Sequence, residues 1–281
     1  MNSNDIWIIL TAIAVALSCA LPGCFLVLRK MAMVGDAISH AVLPGIVIAY
    51  LISGSRNTLY ILPGAAAAGM LVSILIEWLQ KKLRVQSDAS IGLVYTLLFA
   101  IGVILVTAYT SQTDLDQECV LYGEIAYVPF DMWGFVEGGF TAPRQLWIAL
   151  SLLVILVIVI YKGYRGLYLS TFDPGYATAI GVSVVFWHYV LMGMVSLATV
   201  VSFESVGAVL VVALLTGPPA IAALFAKRLP GMLGLACLFG VLACVGGYFM
   251  AKALNASISG SIAVVIGILY IISLLFKKIL A

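Results

Sequence analysis

The chain has 281 residues, of which 64% are hydrophobic and only 9% are charged, and its mean hydropathy is +1.19. Soluble domains contain about 45–50% apolar and about 25% charged residues, so this composition excludes a soluble domain and predicts an integral protein of the lipid bilayer. The net charge of +2 gives no indication of nucleic-acid binding. Polar residues inside the apolar segments are therefore the candidate functional residues.

Nine apolar segments are long enough to cross a bilayer, because a spanning helix needs roughly 20 apolar residues. We therefore predict an all-α fold, a polytopic transmembrane helical bundle with about nine spans. Eight or ten spans stay possible if the loop at about 110–145 is partly embedded. The predicted spans cover residues 6–28, 34–53, 58–79, 89–109, 146–161, 181–201, 204–226, 231–251 and 258–276.

The basic residues predict which ends of the spans face the cytoplasm. Of the 14 lysines and arginines, all but Arg56, Arg144 and Lys252 follow odd-numbered spans or lie in the C-terminal tail. Cytoplasmic loops carry an excess of Lys and Arg, so those segments are predicted to be cytoplasmic and the N-terminus is predicted to lie outside. An odd number of spans follows from this arrangement.

The loop at about 110–145 is acidic and is predicted to be external. Its carboxylates are interpreted either as a surface that attracts cations or a partner protein, or as ordinary solvated groups. Apolar stretches at 119–122 and 125–130 predict that the loop lies on the membrane or enters it. Half of the 12 acidic residues of the chain lie in this loop: Asp114, Asp116, Glu118, Glu124, Asp131 and Glu137.

Span two contains an acid and a histidine, Asp36 and His40, in an otherwise apolar segment. Residues four apart in a helix lie on one face, and ionisable groups inside a membrane are costly enough to indicate function. A carboxylate oxygen and an imidazole nitrogen suit Mn²⁺, Fe²⁺ or Zn²⁺ better than Cu⁺. We therefore predict that both residues are metal ligands. The alternatives are a helix-capping role for Asp36 and a packing role for His40.

Two ligands do not make a selective metal site, so a further oxygen donor is expected. Glu204 is the candidate; at the start of predicted span seven it lies near the outer end, either in the same site or at an outer gate. Ser39 is predicted to support the site by bonding a ligand or a backbone carbonyl. His188 is interpreted as a packing residue, and Glu77 as the ion-pair partner of nearby basic residues.

A second informative segment, at about 162–181, is predicted to be cytoplasmic. Asp173 is typical of a helix N-cap and Pro174 of the first helical position, so a short helix is predicted from there toward Gly181. The small residues Ala177 and Gly181 would allow this helix to pack into a groove of another protein. An ordinary connecting loop is the alternative.

Three motifs resemble the membrane permeases of the zinc/manganese/iron branch of ATP-binding-cassette importers, and the similarity runs the length of the chain. They are GDAISHAVLPG (35–45), STFDPGYATAIG (170–181) and VSFESVGAVLVVALL (201–215) with the turn at 217–219. The resemblance implies one permease domain over residues 1–281 in a bacterial cytoplasmic membrane. It also implies cytoplasmic ATP-binding subunits, an extracytoplasmic metal-binding protein and a second permease subunit, identical or different.

The same resemblance implies the import of a divalent metal, Mn²⁺ first and Zn²⁺ or Fe²⁺ as alternatives, with no permanently bound cofactor. It implies that the helix after Asp173 is the coupling helix, with Pro174, Ala177 and Gly181 among its contacts to the ATPase. The sequence contains no G-x-x-x-x-G-K-[ST] motif. We therefore predict that this chain is not an enzyme and that ATP is hydrolysed on a partner polypeptide.

Two other classes of function stay open. A secondary carrier or channel would use Asp36, His40 and Glu204 as a proton or cation relay, but it would not need the cytoplasmic Asp-Pro helix. A membrane enzyme with a His/Asp/Glu metal site is less favoured. The chain has 2 histidines, and catalytic zinc sites typically use two or three with carboxylate or Cys partners.

Overall fold

The computed structural model describes residues 3–41, 43–54, 58–109, 125–134 and 141–280. Within these ranges 9 candidate spans are long and apolar enough to cross a membrane, which confirms the predicted helical bundle. Between residues 109 and 144, a 3₁₀ helix (Ile125–Phe130) precedes an antiparallel pair of strands, β1 (Met132–Gly134) and β2 (Thr141–Pro143). The helices are α1 (Ser3–Leu28), α2 (Ala32–Ala41), α3 (Leu43–Ser53), α4 (Thr58–Lys82), α5 (Ser87–Tyr109), α6 (Arg144–Phe172), α7 (Pro174–Ala179), α8 (Val184–Val206), α9 (Ala208–Phe225), α10 (Leu229–Leu254) and α11 (Ile258–Leu280).

Helix α1 forms the centre of the bundle and α5 its edge. In an 18-residue apolar stretch of each helix, 78% of the residues are buried in α1 and 17% in α5. Helix α1 packs against α6, α8, α9 and α10, whereas α5 packs against α2, α3 and α4. A Cβ on Gly23 would collide with the carbonyl oxygen of Leu215, so this glycine lets the α1 and α9 backbones touch. Small residues serve this purpose in membrane helix packing.

The helix that contains predicted span five continues past residue 161 and ends at Phe172. The helix continues past Lys162 because its buried face continues: Ile160, Leu167 and Ser170 are all buried. At 1.5 Å per residue α6 is about 43 Å long, longer than a hydrocarbon core of about 30 Å. This length is more than a perpendicular crossing needs, and the first part of the segment 162–181 is helix.

Glu204 lies in α8, and its predicted position at the start of the next span is wrong. Helix α8 continues to Val206, and Gly207, with φ 78°, makes the turn into α9. Glycine adopts a positive φ without steric cost, so the chain turns at Gly207 and not at the polar residues that precede it. The structure describes the backbone of Glu204 but not the position of its side chain.

Most of the basic residues gather at one end of the bundle, which we call the basic end. The connections α1–α2, α4–α5, α6–α8, α9–α10 and the end of α11 meet there because successive spans run in opposite directions. The side of the membrane that this end faces stays a prediction from the charge rule. The basic end carries Arg29, Lys30, Lys81, Lys82, Arg84, Lys162, Arg165, Lys227, Arg228, Lys277 and Lys278.

The described part of the acidic loop lies at the opposite end, and the rest of the loop is outside the described residues. In the described part, Ile125 and Val128 are buried against the bundle, and Asp131 is exposed. The predicted roles of the loop as a cation or partner surface, and its contact with the membrane, therefore stay predictions. The predicted residues outside the described ranges are Asp114, Asp116, Glu118, Glu124 and Glu137.

Candidate metal site

Asp36 and His40 lie one turn apart on α2, as their spacing predicts. Nε2 of His40 is 3.5 Å from Oδ1 of Asp36, and the two side chains are 27% and 40% exposed, respectively. Two ligand atoms that each lie about 2.0–2.2 Å from one zinc ion are at most about 4.4 Å apart. The separation of these two atoms therefore allows them to bind one ion together.

The imidazole of His40 is held by two aromatic rings of α5. Its centroid is 5.4 Å from the ring of Tyr95 and 6.2 Å from the ring of Phe99. Next to it, the hydroxyl of Ser39 donates to the carbonyl oxygen of Gly35 at 2.9 Å, which is one of its two predicted roles. The aromatic pair was not predicted from the sequence, although Tyr95 and Phe99 have the i, i+4 spacing of neighbours on one helical face.

The pair lies on the face of α2 that points away from the core. Val34, Ile38 and Ala41 are almost completely buried, whereas Asp36 and His40 are partly exposed. With 3.6 residues per turn, the two sets lie on opposite sides of the helix. The Asp36–His40 pair therefore faces a surface of the single chain, where an ion or a second subunit has access to it.

The course of α8 places Glu204 some distance from the pair. A Cβ on Gly69 would touch both Ile38 and Ser196, so these two residues lie at the same level of the bundle. At 1.5 Å per residue, Glu204 lies about 12 Å beyond Ser196 and His40 about 3 Å beyond Ile38, both in the direction away from the basic end. Among the described residues, no group of three His, Cys, Asp or Glu side chains is arranged to hold a metal.

A second polar region borders a cavity of about 490 Å³ at the basic end, between α1, α4, α6 and α8. Glu77 forms the predicted ion pair with Lys81, and it also accepts a hydrogen bond from the hydroxyl of Tyr189. His188 lies beside a cation, with its Nδ1 3.4 Å from Nη1 of Arg29. Burial lowers the pKa of the Arg29 guanidinium.

The helix predicted after Asp173 is confirmed as α7. The Asp173 carboxylate accepts the backbone N–H of Tyr176 at 2.9 Å, and Pro174 occupies the first turn. Gly181, with φ 82°, ends this segment in the left-handed conformation that helix C-termini favour. Ala177 is completely buried within the chain, so it seats α7 on its own bundle; the predicted groove contact through Ala177 disagrees with this placement.

The nine candidate spans in the described ranges, and a carboxylate–imidazole pair inside one of them, define a multi-span membrane protein with an ion-binding candidate in its transmembrane region. The chain belongs to the ABC 3 transport family, whose profile matches residues 3–277. This membership confirms the resemblance to the permeases of metal importers. It also agrees with the prediction of a transport subunit and not an enzyme.

Two curated relatives and one solved structure cover nearly the whole chain. The manganese transport system membrane protein MntD of Bacillus subtilis (strain 168) is 50% identical over 98% of this chain and 92% of the relative. The zinc transport system membrane protein TroD of Treponema pallidum (strain Nichols) is 41% identical over 96% of this chain and 73% of the relative. The structure of PsaBC from Streptococcus pneumoniae in complex with Fab has a TM-score of 0.79 and 32% identity, and covers 97% of this chain and 91% of that one.

Proposed function

We propose that the chain is the permease of an ATP-driven importer of divalent metal in a bacterial cytoplasmic membrane. The observation that carries this proposal is the Asp36–His40 pair, with its two donor atoms 3.5 Å apart on an accessible face of a span. One oxygen and one nitrogen donor suit Mn²⁺, Zn²⁺ and Fe²⁺. Mn²⁺ is the first candidate, because the relative named for manganese is 50% identical and the one named for zinc 41%.

The pair supplies part of a coordination sphere, and we infer that a second permease subunit covers it. In helix α5, next to the pair, only 17% of the residues of an 18-residue apolar stretch are buried in the single chain, so a subunit that packs on this side would enclose the pair and α5 together. Further donors would then come from that subunit. Since Glu204 lies roughly 9 Å further along the bundle than His40, it fits an outer gate better than the same coordination sphere.

The exposed side chains of helix α7 support a transport cycle that is driven by ATP hydrolysis on a partner. Its N-terminus is capped by Asp173, and the side chains of Tyr176 and Ile180 are 55% and 48% exposed. Apolar side chains on a short helix outside the membrane suit a groove on another protein. We infer that cytoplasmic ATP-binding subunits contact this surface, and that an external metal-binding protein delivers the ion at the opposite end.

Reconstitution of the chain in proteoliposomes with its ATP-binding subunit and metal-binding protein tests this proposal. We expect ATP-dependent movement of Mn²⁺ from the side of the metal-binding protein, and ATP hydrolysis that the loaded binding protein stimulates. Parallel assays with Zn²⁺ and Fe²⁺ rank the metals. Metal transport that follows a proton gradient and needs no ATP would contradict the proposal and favour the secondary carrier.

A further inference from the structure

The guanidinium of Arg29, just after the end of α1, joins side chains from two other helices. Its Nε donates to Oγ1 of Thr171 at 3.1 Å, and its Nη2 donates to Oγ of Ser170 at 2.9 Å. Its Nη1 lies 3.4 Å from Nδ1 of His188. One side chain therefore connects α1, α6 and α8 at the basic end.

The groups around this guanidinium are arranged to accept its hydrogen bonds. The hydroxyls of Ser170 and Thr171 donate their own protons to the carbonyl oxygen of Leu167, at 3.1 and 2.7 Å, which leaves their lone pairs for Arg29. Nδ1 of His188 accepts only when the ring is neutral and carries its proton on Nε2. A planar fork of donors matches three such acceptors, and a lysine ammonium does not reproduce this geometry.

A tight turn connects Arg29 to the helix that carries Asp36. The N–H of Met31 donates to the carbonyl oxygen of Leu26 at 2.9 Å, and Lys30 adopts φ 58°. These features form a Schellman ending of α1, and α2 begins directly after it. Only residues 29–31 separate the two helices, and the backbone hydrogen bonds of this turn fix how α2 leaves α1.

The partners of the guanidinium on α6 stand directly before α7. Thr171 is two residues from Asp173, the N-cap of α7. Nearby, the indole of Trp187 on α8 fills the space beside Gly163 and Gly166 of α6, where a Cβ would collide with the ring. The end of α6 and the start of α8 are therefore closely packed, and α7 contacts both helices.

The cavity at the basic end gives this connection room to move. Arg29, Ser170, Thr171 and His188 line it, together with Pro174, the first residue of α7. Helices that border a cavity shift more easily than helices in a close-packed core, where any displacement creates voids or clashes. The hydrogen bonds of Arg29 therefore connect α1, α6 and α8 at a place where these helices are able to shift.

We propose that Arg29 is a positioning residue that couples α7 to the Asp36–His40 pair. A displacement of α7 moves the hydroxyls of Ser170 and Thr171, the guanidinium follows them, and the tight turn after α1 transmits the movement to α2. This inference rests on the proposed function, because it requires ATP-binding subunits that move α7. It assigns to Arg29 the connection between α7 and the Asp36–His40 pair.

The test uses the reconstituted complex and measures metal transport and ATP hydrolysis in the same sample. The variant Arg29→Met removes the bridge, and the double variant Ser170→Ala with Thr171→Val removes its acceptors while Arg29 stays. Lys277→Gln is the matched control, since it removes an exposed charge at the basic end, in the last turn of α11 and outside the proposed connection. We expect both bridge variants to transport about tenfold less metal per ATP hydrolysed, the size of a typical coupling energy, and the control to keep the wild-type ratio.

A purely structural role would lower transport and hydrolysis together and leave their ratio unchanged. Wild-type ratios in both bridge variants would overturn the inference while the proposed function stands. If Arg29→Met does not reach the membrane, the double variant decides by the same ratio. A wild-type complex without ATP-dependent transport would instead contradict the proposed function.

Discussion

The two polar regions of the bundle each contain one of the 2 histidines of the chain, and their surroundings differ. His188 lies beside the guanidinium of Arg29, whereas His40 lies beside the carboxylate of Asp36. A cation next to an imidazole opposes metal binding, and a carboxylate next to it favours binding. Residue type alone therefore does not identify a metal site; the charge of the neighbour distinguishes the two histidines.

The two regions also differ in how far the chain satisfies their polar groups. Arg29 has three polar neighbours within the chain, and no buried side-chain nitrogen or oxygen in the described ranges lacks a hydrogen-bond partner. The Asp36–His40 pair is partly exposed, and its atoms are too far apart for a strong hydrogen bond. The hydrogen-bond network of Arg29 is satisfied within the chain and therefore orients helices. The oxygen and nitrogen atoms of the Asp36–His40 pair are accessible and can bind a ligand.

The largest expected effect comes from removing the carboxylate of the pair. Asp36→Asn keeps the shape of the side chain but loses its charge, so we expect metal transport to fall by about 100-fold or more, at or above the loss typical of altered metal sites. Metal accumulation measured by mass spectrometry checks this. Asp88→Asn, at an exposed acid in the first turn of α5, is the control and keeps wild-type transport. Wild-type transport by Asp36→Asn would show that the pair is not the site.

Alanine at each histidine tests the difference between the two regions directly. We expect His40→Ala to lose metal binding and transport, and His188→Ala to keep metal binding and lose about fivefold in transport per ATP, because it weakens the Arg29 connection. Equilibrium binding of Mn²⁺ to the purified complex and the transport ratio separate these effects. Equal loss of metal binding in both variants would contradict the distinction.

A smaller effect is expected from the aromatic ring that holds His40. Aromatic pairs contribute about 0.5–1.5 kcal/mol beyond their area, so Tyr95→Leu should weaken the affinity for Mn²⁺ by about three- to tenfold. Tyr95→Phe keeps the ring and is expected to bind like the wild type. If Tyr95→Phe loses as much affinity as Tyr95→Leu, the hydroxyl acts on the metal and the packing explanation is wrong.

The smallest effect is expected from the ion pair between Glu77 and Lys81 at the rim of the cavity. The Lys81 side chain is 69% exposed, and exposed pairs contribute about 0–1 kcal/mol. Lys81→Gln should therefore leave the thermal midpoint in detergent and the transport rate nearly unchanged. A marked loss of coupling in this variant would extend the Arg29 connection to α4.

The features that depend on local chemistry could be predicted from the sequence. Apolar length predicts the spans, because backbone groups inside a bilayer must bond within a helix. The spacing of Asp36 and His40 predicts a shared helical face, and Asp173 with Pro174 predicts the start of α7. Each of these rests on residues within one turn of one another, so their interpretation needed no knowledge of the packing.

Contacts between residues that are far apart in the sequence could be identified only in the tertiary structure. Arg29 and His188 are separated by 159 positions, and nothing local indicates that one will donate to the other. Packing also determines that α6 continues past Lys162 and that Ala177 faces its own chain. In each case neighbouring helices, which a local pattern does not contain, select among conformations that the sequence allows. The pair on α2 was therefore predictable, and its connection to α7 through Arg29 was not.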